Sequence, residues 1–156
     1  MLVGAQHLQN IHPLIVHFPI AYLVGAALFY LLAWVFRKDS FATAAFWMLV
    51  LGFGGILLAA ASGLYAEPGV MVARSVREHL LLPHKKFMIT TGILTLLVTI
   101  WAVIDRPFPK KMRAGFMILF LFLLLALTLG GDLGARLVYD YNAGGYACSQ
   151  PIEFTK

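Results

Sequence analysis

Apolar residues in this chain occur in long runs, not in alternation. Four such runs occupy residues 13–36, 41–66, 87–104 and 114–137, separated by short polar segments. Each is about the length a helix needs to cross ~30 Å of hydrocarbon. In lipid every backbone N–H and C=O must be satisfied within its own segment or a closed barrel, so these runs are read as helices. The polar segments agree. Pro13 suits a first helical turn, where its missing N–H costs nothing. Arg37-Lys38-Asp39-Ser40 ends one helix and starts the next, with Ser40 the expected N-cap. Glu67-Pro68-Gly69 closes the second run, and Pro83 can open the third as Pro13 opens the first. Asp105-Arg106-Pro107 and Pro109-Lys110-Lys111 make a short, stiff, basic hairpin loop, and the tail from Tyr139 to Lys156 is polar, Gly-rich and expected to be extended. The pattern predicts an all-α fold: one integral membrane four-helix up-down bundle over residues 1–156, with no second domain.

Composition supports this and narrows the function. Hydrophobic residues make up 61% of the chain and charged residues 12%, against about half and a quarter in soluble domains. The net charge of +5 comes with no basic face. Lys and Arg lie between the apolar runs, which points to topology and lipid-headgroup contact and not to nucleic acid. The single cysteine, Cys148, with no CxxC or CxxCH, excludes covalent c-type haem, a cysteine zinc site and an internal disulfide. Residues Met1 to Asn10 lack a charged region followed by an apolar one and a cleavage site, so no signal peptide is expected.

Four spans bring both termini to one side, called the terminal side below. Dense positive charge in the short loops of the other side (Arg37, Lys38, Arg106, Lys110, Lys111, Arg113) favours the cytoplasm there, although Arg74, Arg77, Lys85 and Lys86 occupy the opposite loop. The termini and histidines are then expected on the side away from the cytoplasm, which in a bacterial inner membrane is the periplasmic side.

All five histidines fall on the terminal side: His7, His12 and His17 around the start of span one, His79 and His84 around the start of span three. Small residues complement them. Span two carries Gly55, Ala59 and Gly63 at every fourth position, and span four carries Gly130 and Gly134 beside Gly131 and Ala135. Spans one and three are diagonal in an up-down bundle, so their histidines can face each other while spans two and four leave space. A macrocycle held by two axial imidazoles needs that arrangement. Small residues at this spacing equally make helix-packing seams, and boundary histidines are often simply hydrated, His7 above all. His12 and His17 are five residues apart, as are His79 and His84, which separates each pair by roughly 140° around a helix. Each pair therefore serves two sites, or one ligand and one edge contact. The expected ligands are His17 with His84, then His12 with His79 if two haems are bound. Asp132, after Gly130-Gly131, is an intramembrane carboxylate; it either pairs with Arg136 at i,i+4 or orients a ligand histidine. Arg74, Arg77, Lys85, Lys86 and Arg136 can meet haem propionates or lipid headgroups.

The segment His12-Pro13-Leu14-Ile15-Val16-His17-Phe18-Pro19-Ile20-Ala21 resembles the opening signature of a bacterial family of four-helix membrane proteins, domain of unknown function 2231. The segment from Leu129-Gly130-Gly131-Asp132 through Leu137-Val138-Tyr139 resembles its closing signature. Asn142-Ala143-Gly144-Gly145 departs from the Gly-Val-Gly-Val-like end of that family. The resemblance implies the four-helix fold. Related domains joined to Rieske or cytochrome modules imply redox work. The function expected is a membrane b-type cytochrome, or a haem-bearing subunit of a respiratory complex, with one or two non-covalent b haems. A quinone or c-type cytochrome is the expected redox partner, alongside other subunits. No catalytic acid, base or nucleophile is expected. The alternatives are a non-redox structural subunit and a small proton or metal transporter.

Overall fold

A computed structural model describes residues 11–143; His7, Cys148 and the polar tail beyond Ala143 lie outside them. The elements are α1 (His12–Ile15), α2 (His17–Phe36), α3 (Asp39–Ala66), a 3₁₀ turn (Glu67–Gly69), α4 (Arg74–Val76), a π-helical turn (Arg77–Leu81), α5 (Leu82–Ile104) and α6 (Arg113–Tyr139). They compose four segments long and apolar enough to cross a membrane: His12–Phe36, Asp39–Gly69, Arg74–Ile104 and Arg113–Tyr139. The fold is all-helical, as the apolar runs predict.

Prolines set the local departures from regular helix. Pro19 has no N–H to offer the Ile15 carbonyl, and the chain breaks there into α1 and α2, joined through Val16. Pro83 does not open span three. Helix begins nine residues earlier, at Arg74, and the Leu82 N–H bonds back to the Arg77 carbonyl across a π turn. The π turn widens the helix just ahead of Pro83, which cannot donate to the carbonyl of residue 79, and lets the helix run through the proline. His79 is therefore helical and not in a loop. Ser40 is not the N-cap of α3; Lys38 holds that position and Ser40 lies in the first turn, behind Asp39.

Span one packs closely on span two and span three on span four, while spans two–three and one–four complete the ring. Spans one and three are diagonal. The inward stripe of α2 is Leu23, Ala26, Tyr30 and Ala33, spaced three or four residues apart. Bulky apolar residues such as Leu28, Trp47, Leu58, Ile93 and Leu121 lie outside, where a bilayer covers them. Because lipid tails are as apolar as leucine, the interior is marked by small, aromatic and hydroxyl-bearing residues. Thr91, Thr95 and Thr99 form a buried polar stripe down α5, each hydroxyl donating to the carbonyl four residues back, at 2.7–2.8 Å. A small cluster of Leu81, Leu137 and Ala143 closes the terminal side beneath Val70, Val72 and Val76.

Candidate functional site

The terminal-side end holds two imidazoles set in parallel ways. His12, at the first position of α1, places Nδ1 2.9 Å from the Ser62 hydroxyl. That hydroxyl donates to the Ala59 carbonyl at 3.0 Å, so it accepts from His12 Nδ1–H. His84, in the first turn of α5, has Nδ1 2.7 Å from the Gly130 carbonyl oxygen, which can only accept. The Gly130 carbonyl puts the His84 proton on Nδ1, while His12 is held by the Ser62 hydroxyl and the Ala59 carbonyl. This is the arrangement by which a partner on one ring nitrogen orients a histidine for ligation through the other.

Glycines supply the seats. A Cβ on Gly63 would lie 3.0 Å from His12 Cε1, and one on Gly134 would lie 2.8 Å from His84 Cε1. Gly55 faces Pro19 at 3.1 Å, and Gly130 faces the Phe87 Cβ at 2.9 Å as well as the end of Met88. The small-residue stripes of spans two and four are therefore crossing seams within the two helical hairpins, and their missing volume is filled by the histidine-bearing helices.

The other candidates are placed elsewhere. His17 and His79 are exposed, one from each five-residue pair. The inward pair is thus His12 with His84, not His17 with His84. Asp132 and Arg136 are exposed on α6, and among the described residues no ion pair joins them. The two inward histidine rings are bonded by Ser62 and the Gly130 carbonyl, not by Asp132. Of the terminal-side cations, Lys85 bonds both oxygens of Glu67 at 2.7 and 2.8 Å, with Arg77 3.9 Å from the same carboxylate. Arg74 pairs with Glu78 on the surface. Sequence reasoning missed Ser62, Glu67 and the threonine stripe. The four-residue spacing of Thr91, Thr95 and Thr99 was the available signal for the stripe; nothing local marked Ser62 beyond its place beside Gly63.

Among the described residues no three His, Cys, Asp or Glu side chains converge as a metal cage. The site offers two imidazoles from diagonal spans, each held by a backbone or hydroxyl oxygen of a neighbouring helix.

No curated protein and no solved structure matches the chain. The family model described as predicted membrane protein (DUF2231) matches residues 8–146, which include every residue of this site, and the chain belongs to that family.

Proposed function

We propose that the protein is a membrane b-type cytochrome, or a haem-bearing subunit of a respiratory complex, in which His12 and His84 would hold the haem. The observation that carries this reading is the matched pair of Nδ1 hydrogen bonds, to Ser62 and to the Gly130 carbonyl, on histidines from diagonal spans. The donor set fits the group: bis-imidazole ligation asks for two neutral rings, oriented from behind, reaching from opposite sides. When bound, haem supplies one-electron chemistry, exchanged with a quinone or a c-type cytochrome. The protein's own part is to hold and orient the two rings at one end of a packed apolar core. The denser positive charge of the opposite loops supports placing the histidine end on the periplasmic side, the membrane being read as a bacterial inner membrane.

A second reading has its own observation. Pro19, Phe87, Met88 and the imidazoles already occupy the space the glycines leave, as a purely structural subunit of a membrane complex would have it.

The absorption spectrum of the purified protein decides between them. A low-spin haem spectrum is expected, abolished by His12→Ala and by His84→Ala and retained by His17→Ala and His79→Ala. Protons compete with iron for the same nitrogens, so haem occupancy should fall as pH is lowered. A colourless protein after expression with haem supplied would sink the cytochrome reading and leave the structural one.

A further inference from the structure

The opposite end of the bundle carries a second candidate site. The loop between spans one and two and the loop between spans three and four meet there around a cleft of about 190 Å³. Its rim is Arg37, Lys38, Lys110 and Arg113, four cations against the one carboxylate of Asp39, and its floor includes Ala33, Ala42 and Phe108. We propose that this cleft binds the phosphate of an anionic ligand at the headgroup level of the membrane. The inference is independent of any haem at the other end.

Three features make the cleft more than scattered loop charge. First, the cations come from both loops, so the site exists only when the two hairpins are assembled. Second, the loops are short and shaped: Arg37 and Met112 adopt left-handed backbone (φ 54° and 61°) at helix boundaries. Arg113 is fixed twice, by its Nε donating to the Pro109 carbonyl at 3.1 Å and by its guanidinium stacking 5.2 Å above the Phe108 ring. Among the described residues nothing bonds its two terminal nitrogens, whose fork geometry suits phosphate oxygens. Third, α3 and α6 both begin here, at Asp39 and Arg113, and neither has a side-chain cap. The positive ends of two long helices thus add to the four side chains. The floor is apolar and continues into the bundle, so a headgroup phosphate can dock while its acyl chains lie along the outer face. A choline headgroup would bring a cation into a cationic cleft.

The test uses purified full-length protein and three probes: dioctanoyl phosphatidylglycerol, dioctanoyl phosphatidylcholine and inorganic phosphate, with binding followed by titration calorimetry at low salt. Phosphatidylglycerol should bind at least about tenfold more tightly than phosphatidylcholine, equivalent to about 1.4 kcal/mol. Replacing Lys38 and Lys110 together by Gln should remove that preference; both are exposed, so folding is not at stake. Asp39→Asn, which removes the carboxylate from the rim, should strengthen binding. Binding of inorganic phosphate without a phosphatidylglycerol preference, lost in the Gln variant, would assign the site to a free phosphate compound. Equal binding of the two lipids with no phosphate binding, or an unchanged preference in the Gln variant, would overturn the proposal.

Discussion

The two ends of this bundle solve the same packing problem in opposite ways. At the terminal side, helices approach through absent side chains: Gly63 lies under His12 and Gly134 under His84. At the other end they are wedged apart by rings. Tyr30 packs 5.1 Å from Phe108 and 5.0 Å from Phe116, and Phe116 also meets Phe120 at 6.0 Å and Trp101 at 5.8 Å. The glycine end brings polar rings into contact with backbone and fixes their direction. The aromatic end gains attraction from area and edge-to-face geometry and seals the core beneath the two basic loops. In lipid, where burial of apolar surface does not drive helices together, contact of this kind carries the association. A directional task belongs at the first end and an anchoring task at the second.

The comparison breaks most sharply at Phe116. It is fully buried and touches four other rings. Phe116→Ala should cost about 3–5 kcal/mol, read as a loss of thermal stability in detergent. It should leave the haem spectrum proposed for the far end intact in whatever protein remains folded. An equal loss of both would show that the two ends are one cooperative unit and not two separable ones.

At the glycine end the effect is smaller and position-specific. Gly134→Leu must displace His84 or separate α5 from α6, at about 1–3 kcal/mol. Gly131→Leu, three residues away on the same helix, meets nothing within 4 Å and should leave stability within about 0.5 kcal/mol of the parent. If the two variants unfold at the same temperature, the seat under His84 is not a tight contact.

These contrasts also mark what could be read beforehand. The four spans were legible because the bilayer fixes a length and the runs match it. The start of span three was not: Pro83 reads as a helix opener, and only a π turn, a tertiary accommodation, lets helix run through it from Arg74. The five-residue spacing told that the two histidines of a pair cannot both turn to one site. It could not tell which does, because the lipid face of a membrane helix is as apolar as its core and hydropathy points nowhere. Thus His17, the ligand expected first, is exposed, whereas His12, expected only for a second haem, sits half-buried in the bundle. The glycine stripes were visible as small. What fills them depends on how two helices cross, which no single segment encodes.

The finest test separates packing from hydrogen bonding at the aromatic end. Tyr30 is fully buried, and its hydroxyl has no hydrogen-bond partner among the described residues. A buried hydroxyl left without a partner opposes folding by about 1–3 kcal/mol relative to an apolar group of the same shape. Phenylalanine keeps the ring that Phe108, Phe116 and Phe120 surround and removes only the oxygen. Tyr30→Phe should therefore leave stability unchanged or raise it by about 1 kcal/mol, measured by thermal unfolding beside Phe116→Ala. Tyr30→Leu, which discards the edge-to-face contacts as well, should fall below the parent. A clear loss on Tyr30→Phe alone would mean that the hydroxyl is bonded in the membrane-embedded protein, and that this end of the bundle is polar where the ring geometry describes it as dry.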